Sequence, residues 1–505
     1  MKLLLLIEIV SYALLCHSKR HKEQRLPESE NQLTIATLQN GFRKMKKKED
    51  KKKKSRRSRR ERSSRKKHKC KIAKKSVQDK RKLSTNETYL HAIILETNQT
   101  YSHANIPRTN ENFSNPITPW CAEAGDRILP ITLGEYNTCV GGYGVRLECW
   151  GLNKEGQVGD GTIEKVRLYP TRIPLGNVFS PLSQIVLGYN HACIIDNNNN
   201  LKCWGTNQFG QLGDGTNTNR NTPTTISLGS DLSFATKIML GYGHTCSIDS
   251  LDNLKCWGWN HKGQLGDGTN TQQTTPTTIS LGMGSVYATE VAIGYDYTCI
   301  IDSLHRVNCW GGNEYGQLGD GTTSSRLTPT LIPLGLDIDN PSATKISAGD
   351  YHTCAVDTLD NLKCWGRNHK GQLGDGTDTQ RNKPIIISLG MGNPSPNKIA
   401  LGGSHTCAID NSDKLKCWGW NRFGQLGDGT NTDHAIQTLI SIGSDNTFVT
   451  SIALGRYHTC AMDNLENLMC WGYGNQGQIG DGQSVWSLTP KIILEFHEDQ
   501  SETFT

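Results

Sequence analysis

The sequence predicts an all-β fold, a seven-bladed β-propeller with one disulfide hairpin per blade, preceded by a disordered basic N-terminal arm. Three observations predict it. Cysteines recur in pairs ten residues apart: Cys139 with Cys149, Cys193 with Cys203, Cys246 with Cys256, Cys299 with Cys309, Cys354 with Cys364, Cys407 with Cys417 and Cys460 with Cys470. A segment of the form "HTCAID…KLKCWG…GQLGDG" returns with each pair, the first cysteine advancing by 54, 53, 53, 55, 53 and 53 residues. Each unit also holds four short strand-like runs between turn signals, the mark of blades stacked around a channel. The 52 glycines, with 20% charged and 7% aromatic residues, suit a turn-rich β protein better than a helical one.

In chain order, residues 1–18 read as a secretory signal peptide. Lys2 supplies a short positive start, Leu3 to Leu15 an apolar stretch interrupted by Glu8, and Cys16–Ser18 small residues fit for cleavage. The apolar stretch falls short of the roughly 20 residues needed to span a bilayer, and no later segment is apolar enough, so no membrane span is expected. Residues 19–120 read as disordered. Within them, residues 43–82 carry 24 Lys/Arg against 4 Asp/Glu, a net charge of +20, so the overall +7 conceals −13 elsewhere. Such a run cannot bury a core. It reads as a solubilising linker, as a protease-processing region at Arg57, Arg59 and Arg60, as a cationic arm held to anionic matrix by Coulomb attraction, or, only if the signal-peptide reading is false, as a nuclear-import or nucleic-acid contact segment. It lacks interleaved aromatics, and nucleic acid is not an expected partner. Asn86, Asn98 and Asn112 stand in glycosylation sequons, which agrees with export. Residues 121–495 form the repeat array, and residues 496–505 a tail.

Within a unit, "HTCAID" and "KLKCWG" flank the turn residues "NSD" and form an antiparallel hairpin. Partners in such a hairpin have a constant index sum, so Cys407 opposite Cys417 centres the turn on residue 412. Directly opposed residues sit about 4.5 or 5.5 Å apart at Cα, within reach of a disulfide. Each bridge closes a short loop worth about 2–3 kcal/mol. Paired thiols in a reducing cell are the alternative; zinc fits less well, because its ligand pairs usually stand two to four residues apart. Regular pairing with a signal peptide points to an oxidising compartment. Besides Cys16 in the signal segment, Cys70 and Cys121 are left over; they could bridge the basic segment to the first blade or link two chains, and the sequence does not choose. A stretch such as "TPTTISL" and a run such as "TKIML" supply the remaining two strands. The GQLGDG glycines serve positive φ angles or close approach between blades.

Histidine precedes the first cysteine by two in five units (His191, His244, His352, His405, His458), with Asn137 and Tyr297 in two others. Residues repeated about an axis stand too far apart to share one metal ion, so these histidines are expected to hydrogen-bond the strand ends. Asp160, Asp214, Asp267, Asp320, Asp375, Asp428 and Asp481 recur in the GDG turn. They lack the spacing and terminal Glu of a calcium loop and read as Asx-type turns. No nucleophile elbow, phosphate-cradling loop or metal-hydrolase helix occurs, so neither an enzyme nor a cofactor is expected.

The sevenfold "H-T-C-A-I-D … C-W-G-x-N-x-x-G-Q-L-G-D-G" resembles the regulator of chromosome condensation repeat family over about residues 125–495. Trp150, Trp204, Trp257, Trp310, Trp365, Trp418 and Trp471 each precede glycine, and Gln157, Gln211, Gln264, Gln317, Gln372, Gln425 and Gln478 each follow it. The resemblance implies a seven-bladed ring closed by pairing terminal strands within one blade. The cysteine pairs fit an exported branch. Family membership does not fix one activity. The nuclear exchange factor of the family uses an insertion from one blade, whereas these units differ by only two residues in length. A plant ultraviolet receptor of the family uses Gly-Trp-Arg-His-Thr, where this chain has "GYGHT" (Gly241 to Thr245) and "GRYHT" (Gly455 to Thr459). Ligase relatives append a catalytic domain, which is not expected after the last repeat here. The expected function is a secreted binding or scaffold protein for an extracellular protein or glycan. The alternatives are a nucleotide-exchange factor or nuclear adaptor, and a secreted enzyme inhibitor.

Overall fold

The computed structural model describes residues 131–141, 147–175, 182–229, 233–282, 285–335, 342–390, 394–443 and 447–495. The signal segment, the basic run, Arg57, Arg59, Arg60, Cys70, Cys121 and the sequons at Asn86, Asn98 and Asn112 lie outside the described residues.

Seven antiparallel four-stranded sheets follow one another along the chain, over residues 131–172, 184–225, 235–278, 288–332, 343–387, 396–439 and 449–495, here blades one to seven. The first strand of each blade touches the first strands of both neighbours, so these strands surround the axis and the fourth strands form the rim. The second and third strands form the predicted hairpin, and in every blade the two cysteines stand opposite each other in its register. All seven pairs are disulfides. Cys139 is bonded to Cys149, Cys193 to Cys203, Cys246 to Cys256 and Cys299 to Cys309. Likewise Cys354 is bonded to Cys364, Cys407 to Cys417 and Cys460 to Cys470. The bonded Cα atoms are 4.1 Å apart, near the close, non-hydrogen-bonded spacing of an antiparallel ladder.

The turn opposite the cysteines is built by an aspartate that the sequence reading passed over. Asp249 Oδ1 accepts the backbone N–H groups of Leu251 and Asn253, both at 2.9 Å. Asp252 between them takes φ 61°, which Asp tolerates better than most residues. Asp302, Asp357 and Asp463 repeat the motif.

Blades adhere through a buried tryptophan. All seven WG tryptophans are fully buried. Six donate Nε1–H to the glutamine carbonyl of the preceding blade at 2.9–3.1 Å, as Trp257 does to Gln211. Gly213 lies against that indole at φ +80°; a Cβ there would stand 2.6 Å from Trp257 Nε1. This is the close approach that the repeated glycines predicted.

The ring closes differently from the expectation. Among the described residues, no blade combines strands from the two ends of the array: blades one and seven are each four consecutive strands. Each unit supplies its own complete sheet, so the closing seam uses the same side-chain contacts as the others. Trp150 donates to the Gln478 carbonyl at 3.0 Å, and Leu133, Val140 and Trp150 pack with Met462, Leu468 and Ile479.

Candidate partner-binding face

The topology places two connections at one end of the channel: the turn between first and second strands, and the GQLGDG loop between third and fourth. The predicted histidines and aspartates lie in the walls of this end. Thr245 donates its hydroxyl to the Gln211 carbonyl at 2.8 Å, and His191 Nε2 lies 2.9 Å from the Thr245 hydroxyl oxygen. The threonine proton is already committed, so the histidine is the donor and carries its proton on Nε2. His244, His352, His405 and His458 meet Thr298, Thr406, Thr459 and Thr138 in the same way across the next seam. The five imidazoles are buried in separate seams and share no ion. Burial brings each pKa down to about 3, so they are neutral. Tyr297 takes the histidine's place at its seam, donating its hydroxyl to the His352 carbonyl at 2.7 Å with Thr353 2.9 Å away. The seam between blades one and two has lost both partners, having Asn137 for histidine and Ala192 for threonine.

The GDG aspartates form the expected Asx turns. Asp375 Oδ1 accepts the Thr377 N–H at 3.0 Å, and Arg381 holds Oδ2 at 2.7 Å. Burial disfavours the ionised carboxyl, but hydrogen bonds from Arg381 and Thr377 outweigh it and hold the pKa below the usual carboxylate range. Arg167, Arg220, Arg326, His434 and Lys491 serve the matching aspartates of other blades, so these oxygens already face hydrogen-bond donors. Among the described residues, no group of three or more His, Cys, Asp or Glu could hold a metal ion, and no helix is long and apolar enough to cross a membrane.

The chemistry that distinguishes this end sits in the two residues before each of those five histidines and before Asn137 and Tyr297, which the sequence shows only within "GYGHT" and "GRYHT" and only as a departure from the receptor motif. They run Glu135-Tyr136, Tyr189-Asn190, Tyr242-Gly243, Tyr295-Asp296, Asp350-Tyr351, Gly403-Ser404 and Arg456-Tyr457. Aligning the units on the H-T-C element exposes them as variable positions inside an otherwise repeated frame. Arg456 of blade seven lies across the channel mouth, 3.1 Å from Asp350 of blade five and 2.6 Å from Glu135 of blade one. Tyr189 of blade two donates its hydroxyl to Asp350. The guanidinium also stacks near Tyr189, Tyr457 and Tyr295, 5.1–5.7 Å from their ring centroids. Burial pushes Asp350 up to about 6 against the pull of Arg456. Burial alone would lower the Arg456 pKa, but Asp350 and Glu135 outweigh it and keep the guanidinium charged.

Around this plug lie two aromatic groups. Tyr242 stacks on Tyr295 at 4.3 Å, and Trp259 stacks on Phe209 at 5.3 Å and on His261 at 4.0 Å. On the other side Phe423 packs edge-on against Tyr473 and Trp486, with Trp420 against Tyr457. Between the groups the belt is interrupted at Gly403 and Ser404. An open hollow of about 210 Å³ lies there, lined by Tyr351, Arg367, His369, Lys370, Trp420 and Tyr457 among others.

Comparison with known proteins places this geometry. The model of the Regulator of chromosome condensation (RCC1) repeat matches residues 149–195, 201–248, 256–301, 305–356, 364–409 and 414–462. The chain belongs to the RCC1 repeat family. Each RCC1 match starts near the third strand of one blade and ends in the next blade, so six matches span seven blades. The chain is 30% identical to the ultraviolet-B receptor UVR8 of Arabidopsis thaliana over 345 residues, 68% of this chain and 76% of the receptor. It is 25% identical to the E3 ubiquitin-protein ligase HERC2 of Homo sapiens over 363 residues, 71% of this chain but only 7% of the ligase. Two solved structures share the fold. Human WBSCR16 matches with TM-score 0.62 at 21% identity, covering 69% of this chain and 94% of that one. Prp20p of Saccharomyces cerevisiae matches with TM-score 0.61 at 22% identity, covering 69% and 86%.

Proposed function

We propose that this RCC1-repeat propeller is an exported, non-enzymatic binding protein that holds an extracellular protein or glycan on its aromatic face. The observation that carries the reading is that face itself. Tyrosine and tryptophan rings combine large apolar area with polar edges, at little cost in side-chain entropy, and such residues dominate recognition surfaces. Arg456, its two carboxylates and Tyr189 tie four blades together, so the rings stand on a preorganised platform. The seven disulfides support export, since such bonds persist in oxidising compartments. The basic run 43–82 would add a sequence-independent hold on anionic matrix, unless cleavage near Arg57, Arg59 and Arg60 removes it. Prp20p is described as binding Gsp1p and histones; at 22% identity that likeness is one of fold. Exchange-factor and inhibitor readings would use the same face and differ in what it captures.

The test is photo-crosslinking of the full chain, with the probe at position 261 beside Trp259, in cells that express it and in their medium. The expected result is an extracellular adduct that Trp259→Ala reduces at least tenfold. A nuclear GTPase or histone as the sole adduct would overturn the exported reading, and an adduct indifferent to Trp259→Ala would overturn the assigned face.

A further inference from the structure

We propose that the hollow over blade six is a subsite for one acidic pyranose unit, a uronate or a sulfated sugar, of an extracellular polysaccharide. The inference rests on the exported binding reading and names the ligand chemistry of one part of that face.

The hollow exists because blade six departs from its neighbours. Blades five and seven place Tyr351 and Tyr457 where blade six has Ser404. Gly403 is required for a separate reason: a Cβ there would stand 2.7 Å from Arg456 Cγ and 2.8 Å from its carbonyl oxygen. The Arg456 plug therefore passes directly over a bare backbone floor. Besides Asp350, which Arg456 holds, the walls combine two chemistries. Trp420, Tyr351 and Tyr457 are half-buried rings, the surface on which the C–H face of a pyranose packs. Arg367 supplies charge. Its guanidinium carbon stacks 4.5 Å from the Tyr315 centroid and 5.6 Å from that of Tyr351. Among the described residues, no carboxylate stands within ion-pair distance of it.

The other cations are already committed. Arg456 is shared between Glu135 and Asp350, whose carboxylate also lines the hollow, and Lys370 pairs with Asp433 at 3.0 Å. Arg367 is therefore the guanidinium free to meet a ligand anion, held in place by the two rings, with its planar fork matched to a carboxylate or sulfate. The hollow's volume of about 210 Å³ falls below the roughly 300–1,000 Å³ of sites for drug-sized ligands, which limits the occupant to a single ring. An acidic peptide side chain would also satisfy Arg367, but it would leave the ring surfaces without the flat partner they suit.

The test uses the full chain and four probes: a glucuronate-containing disaccharide, an O-sulfated disaccharide, a neutral disaccharide and a glutamate-rich tetrapeptide. Calorimetry gives affinity, and saturation-transfer NMR reports which ligand protons approach the protein. Ser404→Tyr fills the hollow with a residue that blades five and seven carry at the same register. Arg367→Ala removes the cation without touching the fold. The expected result is binding of an acidic disaccharide with transfer to its ring C–H protons, weakened at least tenfold by either variant. Arg367→Ala should also abolish the preference for acidic over neutral sugar, and the preferred acid, uronate or sulfate, names the source. Equal affinity in wild type and Ser404→Tyr would assign the binding to the basic arm and overturn the subsite, as would tighter binding of the tetrapeptide or no sugar binding. If the sugars fail while the Trp259-dependent crosslink persists, the subsite alone is wrong. If the subsite binds sugar but position 261 captures nothing extracellular, the broader partner reading fails instead.

Discussion

Thr459 donates to the Gln425 carbonyl at 2.8 Å and meets His405 at 3.0 Å, which commits His405 to the neutral Nε2–H form. Protonating His405 would put a charge in a buried seam, and the same holds for His191, His244, His352 and His458. An unfolded histidine titrates near 6.5, whereas these are brought down to about 3. Between those values the unfolded chain binds more protons at these sites, so folding stability present above about pH 6.5 is lost as pH falls. Asp296 and Asp350 oppose this. Burial raises both to about 6, so the folded chain binds protons there before the unfolded chain does. Five histidines against two carboxyls leave a net slope from these groups of about three protons between pH 6 and 4, about 4 kcal/mol per pH unit. Denaturant titrations across pH 4–7 should show this fall, and His405→Gln should flatten it by about one proton. An unchanged slope would mean that the histidines are not buried neutral. The seam between blades one and two offers a gain: Asn137→His with Ala192→Thr should stabilise the fold by about 1–2 kcal/mol, with each single change worth less. The sequence showed the histidines and implied their structural role. Their partners were hidden, because each lies in the following repeat, 54 residues away in the four histidine pairs within the array, and only the ring brings them together.

At the scale of the hairpin, the disulfide and the aspartate turn act on the same two strands. Replacing Cys407 and Cys417 together by serine should lower stability by about 2–3 kcal/mol through the freed loop, with the far-ultraviolet dichroism of the folded chain retained. Gly213→Ala should cost more, above about 3 kcal/mol, because a methyl at positive φ would meet the Trp257 indole rather than solvent. Thermal melts of the two variants under one buffer would rank them. The hairpin was legible to the residue, because a fixed ten-residue spacing and a constant index sum leave one register. The outer strands were less so: the run "TPTTISL" predicts one strand, yet the strand covers Gln273–Thr278 and Ile279 turns inward to 4% exposure. Threonine-rich rim sequence gives no alternation from which to place its end.

For the whole molecule, periodicity foretold seven blades but not how the ring shuts. The expected sharing of one blade between the chain ends gave way to a seam like the others, and that seam holds the full set of His458, Thr138, Gln478 and Trp150 contacts. Closure uses these side chains together with backbone bonds from Arg456 N–H to the Gly134 carbonyl and from Gly482 N–H to the Leu168 carbonyl, and Thr138→Val with His458→Leu should loosen the first and seventh blades together, seen as faster amide exchange in both. The aromatic face escaped the sequence reading for the opposite reason: its residues are the ones the repeat does not keep, so a search for regularity passes over them. The proposed function depends most on a covalently stapled propeller working outside the reducing cytosol. Its most direct test is non-reducing peptide mapping of the protein recovered, without added oxidant, from the medium and from the nuclei of cells that express it. The prediction is recovery from the medium with all seven ten-apart pairs joined; recovery from nuclei with those cysteines open to alkylation would contradict it.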